Sequence, residues 1–422
     1  MIITVNNIEY QLGTINKTAK IINYKDELTT EIVIPEYIEY EDEKYKVAEI
    51  GDWVFSHCYR LTSVTIPNSV NYIGNSVFKD CPLKEVRIPK NCNEFYNNSF
   101  KKRVNVIIDE NNPYYFNYQD FIFKFIDDEN ISLTRYQGND SKLQIPEIVN
   151  YKEKDYKVTE IGDDAFRFCS SLTSINIPNS VNYIGNSVFF NCQLLTSINI
   201  PNSVYEFGNS VFDCCVSLTS ITIPNSITEI GRCVFNSCHS LTSITISNRV
   251  TKIGDWAFSG CSSLTSITIP NRVTEIGHNV FCKCKNLTSI NIPNSVTKIE
   301  ISAFDKIGLT LPKRYTKDGK LIAYKAFYTD MTCRNFQYEE GKTFVIEGLI
   351  KLCNCGFHAC TNPLDVFNYY YGEIGKDIVI HEVYLSGDID EDICDDSKVC
   401  ASKIEIGRRL TMKDINEIIN SK

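Results

Sequence analysis

The chain repeats itself with a period of 23 residues, and this period limits its fold more than any other feature. The copies begin at Gly51, Gly74, Gly162, Gly185, Gly208, Gly231, Gly254 and Gly277. In every copy a phenylalanine lies four residues after the glycine and a cysteine lies seven residues after it. Units this short cannot bury an apolar face alone, so they must stack on copies of themselves. The period therefore predicts a repeat solenoid.

Apolar residues recur at fixed places in the second half of each copy. Leu218, Ile221 and Ile223 show the L-x-x-I-x-I spacing, which predicts a short strand with its apolar side chains pointing inward. Pro224 follows and ends that strand, because proline cannot donate to the next ladder bond. We expect a leucine-rich repeat solenoid with one short parallel strand per 23-residue turn, followed by a small α+β domain.

The complete repeat, IGxxxFxxCxxLTSIxIPNSV, resembles the BspA-like leucine-rich repeat family over about residues 8–311. This resemblance implies a non-catalytic protein-interaction scaffold. Residues 34–52 reappear as residues 145–163, displaced by 111, and each copy resembles the two-stranded unit that precedes the repeats in this family. Residues 104–125, with a turn signal at Asn112 and Pro113, resemble a hairpin excursion inserted between repeat blocks.

These changes of pattern predict five segments along the chain. They are N-terminal capping strands (1–50), a first repeat block (51–104), an inserted hairpin with a second two-stranded unit (105–161), a second repeat block (162–311) and a cysteine-rich α+β domain (312–422). We expect the last segment to fold without the solenoid, because it has its own strands and capped helices.

Charge and hydropathy narrow the choice of partners. The net charge of −9 comes without a basic stripe, which argues against nucleic acid because phosphate binding needs clustered Lys and Arg. No signal peptide and no apolar run of membrane-spanning length are recognisable. We therefore expect a cytoplasmic protein of a microbe or virus that binds a protein partner. Because the best-known members of the resembled family are surface proteins, a surface adhesin is the alternative.

Cysteine is abundant, with 18 residues in the chain. Eight of them take the same inward place in successive repeats, where stacked Cβ atoms point in parallel and not toward one another. We expect these thiols to be buried, reduced and unreactive, acting as small hydrophobic groups. This interpretation favours a reducing compartment.

The outward strand positions carry mostly Ser, Thr and Asn, as in Ser220 and Thr222 or Ser289 and Asn291. Such a uniform face has two main interpretations: solvated residues kept alike by repeat duplication, or a concave surface that binds a protein. A hydroxyl ladder that orders water or ice is a third.

A metal hypothesis rests on the segment CNCGFHAC in the last domain. Cys353, Cys355, His358 and Cys360 provide four soft ligands within eight residues, which is enough for a tetrahedral zinc site. The spacing lacks paired C-x-x-C knuckles, so a packed cluster of reduced thiols is the alternative. No other cofactor is expected, and no catalytic residue is assigned.

The last domain also resembles an uncharacterised cysteine-rich module of phage and bacterial proteins, through GFHAC and NPLDVFNYY. That resemblance implies no known reaction. A looser similarity to ADP-ribosyltransferases implies an enzyme as the alternative. Tyr324, His358 and Tyr370 would then contact nicotinamide, and Glu382 would be the catalytic carboxylate.

Local patterns predict the elements of this domain. LIAYKAF predicts a strand, and TFVIEGLIKLC predicts a hairpin turning at Glu347 and Gly348. The next strand should end before Gly387, where an acidic solvated loop begins; Ca²⁺ binding by this loop is the alternative. Helices are expected from Asn362 to Tyr371 and after a capping box at Thr411.

Overall fold

The computed structural model describes residues 1–26, 28–333, 336–347, 357–370, 372–374, 377–391 and 397–421. It consists of two compact units, each considered by itself below. Unit 1 comprises residues 1–171 and 178–189, and unit 2 comprises residues 172–177 and 190–422. Strands dominate both units, as the 23-residue period predicts.

The strands of unit 1, numbered in chain order, form parallel ladders and antiparallel meanders. They are β1 (Ile2–Val5), β2 (Ile8–Gly13), β3 (Thr18–Tyr24), β4 (Glu31–Val33), β5 (Tyr37–Tyr40), β6 (Glu43–Ile50), β7 (Ser63–Thr65), β8 (Tyr72–Ile73), β9 (Glu85–Ile88), β10 (Glu94–Phe95), β11 (Asn105–Ile108), β12 (Tyr115–Tyr118), β13 (Phe121–Phe125), β14 (Asn130–Tyr136), β15 (Lys142–Gln144), β16 (Ile148–Tyr151), β17 (Lys154–Ile161) and β19 (Tyr183–Ile184). A 3-10 helix covers Asn97–Ser99.

Unit 1 contains one topology twice. Strands β1, β2 and β3 form an antiparallel meander, β3 pairs in parallel with β6, and β5 and β6 form a hairpin. Strands β12, β13 and β14 repeat this order with β17 and β16. The expected two-stranded units are therefore confirmed. The segment expected as an inserted hairpin is a second copy of the N-terminal meander, which the diverged side chains conceal in the sequence.

Unit 2 begins with the turns of the second repeat block. Each turn contributes one three-residue strand and one two-residue strand, so the array has two ladders where the sequence predicted one strand per turn. The first ladder comprises β18 (Ser174–Asn176), β20 (Ser197–Asn199), β22 (Ser220–Thr222), β24 (Ser243–Thr245), β26 (Ser266–Thr268) and β28 (Ser289–Asn291). The second comprises β23 (Glu229–Ile230), β25 (Lys252–Ile253), β27 (Glu275–Ile276) and β29 (Lys298–Ile299), and the two-residue strand β21 (Glu206–Phe207) precedes it in the chain.

The repeated glycine marks the place where neighbouring turns touch. A Cβ atom at Gly254 would lie 2.9 Å from the carbonyl carbon of Gly231 and 3.0 Å from the backbone nitrogen of Arg232. Both contacts are shorter than van der Waals packing allows, so the period requires glycine here. Two residues later the backbone turns left-handed, with φ of 56° at Cys233 and 54° at Trp256.

Backbone hydrogen bonds link each turn to the next. The amides of Cys233 and Phe235 donate to the carbonyls of Asp255 and Ala257, at 2.9 and 2.8 Å. The phenylalanine rings stack in the same direction: Phe235 lies 5.4 Å from Phe258, with the rings 7° from parallel. Every turn therefore needs a following turn to satisfy its amides and to cover its ring.

Residues after the array form a small, mainly antiparallel module. Its elements are β30 (Arg314–Tyr315), β31 (Leu321–Tyr328), β32 (Thr332–Cys333), β33 (Phe336–Gln337), β34 (Thr343–Val345), β35 (Phe357–Cys360), β36 (Gly372–Glu373), β37 (Ile378–Glu391), β38 (Lys398–Leu410), a 3-10 helix (Pro363–Asn368) and helix α1 (Met412–Asn420). Strand β31 pairs with β35 and β37, and β38 pairs with the same two strands, so the four close on themselves. One core lies on one face of this sheet, with Phe327, Phe357 and Val383 among its residues.

Several expectations for the module need correction. The predicted helix from Asn362 to Tyr371 is a 3-10 helix of six residues; the Asn362 side chain caps it by accepting from the Leu364 amide. The Val-Phe-Asn-Tyr-Tyr run favours helix weakly, which allows tertiary contacts to decide its conformation. Strand β37 does not end before Gly387 but continues through a bulge to Glu391.

Other expectations are confirmed or fall outside the described residues. The LIAYKAF strand is β31, and Thr411 and Asp414 form the predicted capping box of α1. The predicted turn at Glu347 and Gly348 lies at the edge of the undescribed segment 348–356. Its first arm, β34, pairs with β38.

Candidate functional site

The first ladder of unit 2 presents a surface that we call the polar strand face. It consists of the outward side chains of its six strands, in two rows. They are Ser174, Ser197, Ser220, Ser243, Ser266 and Ser289, with Asn176, Asn199, Thr222, Thr245, Thr268 and Asn291. Paired strands align like with like, as Ser220 with Ser243 and Thr222 with Thr245. Neighbouring strands, and therefore successive residues of a row, lie about 4.8 Å apart, as in any sheet. The polar strand face is therefore regular, exposed and free of formal charge.

A third row of threonines locks the turns beside this face. The hydroxyl of Thr219 donates to the Thr196 carbonyl at 3.2 Å, and that of Thr242 donates to the Thr219 carbonyl at 3.1 Å. These hydroxyls satisfy the array itself. The two rows of the polar strand face take no part in these bonds, and Asn291 at their end accepts from the Asn416 side chain at 3.1 Å.

The second ladder is chemically different. Its outward residues alternate in charge, because Glu229, Lys252, Glu275 and Lys298 lie opposite one another in successive strands. Lys252 Nζ is 3.6 Å from Glu275 Oε2, and both side chains are about half exposed. Opposite charges across neighbouring strands stabilise their pairing. The charges from Glu229 to Lys298 therefore cancel along this row, whereas the polar strand face carries uncharged hydrogen-bonding groups.

The repeated cysteines line the interior, as predicted. The thiol of Cys238 donates to the Phe212 carbonyl at 3.2 Å, and the thiol of Cys261 donates to the Phe235 carbonyl at the same distance. Burial raises the pKa of Cys238 and Cys261 well above the usual value for a thiol. Each of these two thiols donates to a carbonyl of the preceding turn, and this hydrogen bond explains why cysteine recurs at this position. The sequence alone did not reveal the bond.

Two other cysteines of the array are half-exposed. Cys214 and Cys233 lie outside the repeated thiol row, and Cys214 Sγ contacts Asp213 Oδ1 at 3.3 Å. Burial and the Asp213 carboxylate raise the pKa of Cys214 to about 11. The sequence distinguishes them only by their positions, six and two residues after a repeat glycine.

The described residues do not test the zinc hypothesis. Cys353 and Cys355 lie outside them. His358 and Cys360 are both in β35, two residues apart, so they share one face of that strand. No group of three metal-ligating side chains occurs in the described part of the chain. Zinc binding by Cys353, Cys355, His358 and Cys360 remains a prediction.

The four residues named by the ADP-ribosyltransferase similarity are divided between two faces of the sheet. Tyr324 pairs directly with Cys360 in β35 and with Glu382 in β37, so these side chains share the face opposite the core of Phe327 and Phe357. Tyr370 packs against that core, and its hydroxyl lies 2.6 Å from Cys333 Sγ. Tyr370 therefore cannot join Tyr324 around one ligand.

His381 lies in the interior of the module. Only 2% of it is exposed. Its Nδ1 atom lies 2.9 Å from the Gly407 carbonyl, and its ring meets Phe327 edge to face.

A cavity of about 280 Å³ lies on the Tyr324 side of the module. Its lining mixes apolar groups with hydroxyls and one guanidinium: Leu311, Pro312, Arg314, Ile322, Tyr324, Thr361, Ile418 and Ser421. Burial raises the pKa of Tyr324, and the nearby Arg314 opposes this shift. Of the four similarity-derived residues, Tyr324 alone belongs to this lining, so the cavity does not form the implied catalytic site.

Comparisons with known proteins agree with the repeat pattern. A model of the BspA type leucine rich repeat region, in 6 copies, matches residues 24–118, 147–265 and 206–334. A domain of unknown function (DUF7666) matches residues 321–418. The finer description of this domain as a phage and bacterial cysteine-rich module remains a prediction. No match was found among curated proteins.

The chain is similar to several solved structures of leucine-rich repeat proteins. A leucine-rich repeat protein from Eubacterium ventriosum is 18% identical, with a TM-score of 0.53, over 75% of this chain and 96% of that one. A leucine rich repeat protein from T. pallidum is 32% identical over 45% of this chain and 87% of that one, with a TM-score of 0.42. A leucine rich cell surface protein from Faecalibacterium prausnitzii is 23% identical over 69% and 94%, with a TM-score of 0.42.

Among the described residues, no helix has the length and apolar character needed to cross a membrane.

The repeat-family match covers more than half of the sequence and coincides with the observed two-ladder turns. The chain therefore belongs to the BspA-type leucine-rich repeat family.

Proposed function

We propose that this protein is a non-catalytic interaction scaffold that binds a protein partner on the polar strand face. One observation carries the proposal: six strands hold twelve uncharged hydrogen-bonding side chains in fixed rows, and all of them except the part-buried Ser174 are exposed. Because the backbone of each turn is bonded to the next, the rows are ordered before binding, and little conformational entropy is lost on association. Membership of a repeat family of interaction and surface scaffolds supports the same role.

The chemistry of the face indicates the kind of partner. Hydroxyl and amide groups recognise polar, uncharged protein surfaces through direct and water-mediated hydrogen bonds. A strongly charged partner would find no ion-pair partner in these rows. Binding should therefore depend weakly on salt, because screening acts on charges.

The test compares two arginine substitutions in the full-length chain. Thr245→Arg places a long charged side chain at the centre of the polar strand face, and Glu229→Arg places the same side chain on the second ladder. A partner captured from cells of the source organism should bind Thr245→Arg at least about tenfold more weakly and Glu229→Arg nearly as well as the parent. Equal binding of both variants would contradict the proposal.

We further propose that the protein works in a reducing compartment. The buried thiols of the repeat row do not test this, because buried parallel thiols would resist crosslinking in any compartment. The half-exposed Cys214 and Cys233 are therefore the informative pair. Protein isolated from native cells under alkylating conditions should carry both as free thiols, and oxidised forms would contradict the proposal.

A further inference from the structure

The last turn of the array, residues 300–307, has no following turn of its own kind. In earlier turns, amides donate to the next turn and each phenylalanine ring is covered by the next ring. An unpaired ladder end exposes backbone donors and acceptors, which promotes fraying and edge-to-edge association. The residues that follow the array in the chain supply the missing contacts.

Side-chain amides of helix α1 complete the edge of the first ladder. Asn416 Oδ1 accepts from the Ile292 amide at 3.1 Å, and Asn420 Nδ2 donates to the Ile290 carbonyl at 3.1 Å. These two backbone groups lie on the outer edge of β28, where a further strand would bind. The Asn416 amide also donates to the Asn291 side chain, the last member of the polar strand face. Helix α1 therefore occupies the place of a next strand.

Strand β36 completes the second ladder. It pairs with β29 in antiparallel orientation, Ile299 opposite Gly372 and Lys298 opposite Glu373. The Ile374 amide donates to the Thr297 carbonyl at 2.8 Å. In earlier turns this carbonyl accepts from the corresponding threonine one turn later, as Thr251 accepts from Thr274 at 3.0 Å. The module thus continues the backbone pattern with a different residue.

The 3-10 helix covers the end of the phenylalanine stack. Phe367 lies 6.3 Å from Phe304 with the rings tilted by 58°, whereas Phe281 and Phe304 are stacked at 5.7 Å. The Phe367 carbonyl accepts from the Ser302 amide at 2.9 Å, in the place of a next-turn carbonyl.

In unit 1, side-chain amides also cover the backbone groups at the edge of a short ladder. The outer edge of β11 is met by the Gln137 side chain, whose Oε1 accepts from the Val106 amide and whose Nε2 donates to the Val106 carbonyl. The Asn117 side chain accepts from the Ile108 amide at 2.7 Å. Side-chain amides on a following element therefore finish a ladder twice in this molecule, from two unrelated elements.

We infer that the module of residues 312–421 is the terminal cap of the repeat array. It replaces a next turn at three separate places: the β28 edge, the β29 edge and the Phe304 ring. This assigns a role to the domain that matches only a family of unknown function. The role does not depend on the polar strand face binding a partner. It is also compatible with independent folding of the module, because its core around Phe327 is its own.

The test removes the amide contacts in the full-length chain. The double variant Asn416→Ala, Asn420→Ala is compared with Lys413→Ala, Glu417→Ala, which alters the exposed side of the same helix. Amide hydrogen exchange in residues 289–299 should accelerate about tenfold or more in the first variant, because three hydrogen bonds between α1 and the array are lost. Exchange within β22 and β24 should change little.

Light scattering and the pattern of hydrogen exchange further test whether the module caps the array. Light scattering should show concentration-dependent association of the first variant and a monodisperse control, because an exposed ladder edge recruits other chains. Unchanged exchange in residues 289–299 together with faster exchange in α1 would overturn the inference, since the helix would then detach without effect on the array. If the double variant does not fold, Phe367→Leu provides a milder test, with faster exchange expected at residues 300–305.

Discussion

The array and the module of unit 2 bury similar residues by opposite means. In the array each buried ring meets its own copies, as Phe258 does between Phe235 and Phe281. In the module Phe327 meets Tyr338 and His381, residues of other types whose spacings from Phe327 follow no period. One packing solution is used many times in the first region, and each contact is separate in the second. Repeated packing can therefore be predicted from the sequence, whereas packing that occurs once leaves no pattern to predict it from.

The largest expected effect separates buried from exposed phenylalanines. Phe235 is fully buried between two stacked rings, so Phe235→Ala should cost about 3 to 5 kcal/mol of unfolding free energy. Because turns contact only their neighbours, the loss should spread along the array. Denaturant unfolding followed by circular dichroism measures it.

Phe168→Ala is the matched control, because this ring is 44% exposed. Its loss should stay within about 0.5 kcal/mol, as for most surface substitutions. If the two variants unfold alike, the stacked rings do not form the interior of the array.

A smaller effect is expected in the module at Lys325. This residue is only 6% exposed, and its Nζ donates to the His358 carbonyl at 2.8 Å, above the rings of Phe327 and Tyr338. Lys325→Met keeps the length of the side chain but removes the donor. We expect a loss of about 1 to 3 kcal/mol, because the buried carbonyl loses a partner.

The control for this variant is Lys342→Met, an exposed lysine in the same module. Hydrogen exchange should accelerate in residues 321–328 and 357–360 for Lys325→Met alone, and the array should be unaffected. Similar exchange in both variants would show that the polar contact does not hold β31 against β35.

How much of each region the sequence predicts follows from the same comparison. The Gly, Phe and Cys of each repeat predict the turn, the stacked rings and the thiol row. This prediction is secure because several copies of the repeat show the same pattern. The second ladder was missed, since two residues such as Lys252 and Ile253 are too short for an alternating pattern. In the module, the capping box at Thr411 is local and was predicted. The contact of Asn416 with Ile292 spans 124 residues and has no local signal.

The candidate surface shows the same limit. Sequence spacing places Ser243 and Thr245 outward, and the structure confirms their exposure. Sequence spacing does not show that the charges in the row through Lys252 cancel. This cancellation distinguishes the second ladder from the polar strand face. That distinction needs the cross-strand register, and the register comes from the stacking of whole turns.

The smallest perturbation is chemical and contrasts two adjacent residues of the array. Cys214 is half-exposed and Cys215 is fully buried, so maleimide applied to the native protein should modify Cys214 and Cys233 and spare Cys215, Cys238 and Cys261. Denaturation should expose all five.

The thiolate is the reactive form, and the pKa of Cys214 is raised to about 11. Its labelling rate should therefore rise about tenfold per pH unit from pH 7 to 10 without a plateau, whereas an unperturbed thiol would level off near pH 9. Mass spectrometry of the peptides identifies each site. Rapid native labelling of Cys238 would mean that the turns open around it, and the contrast between a closed array and its surface would fail.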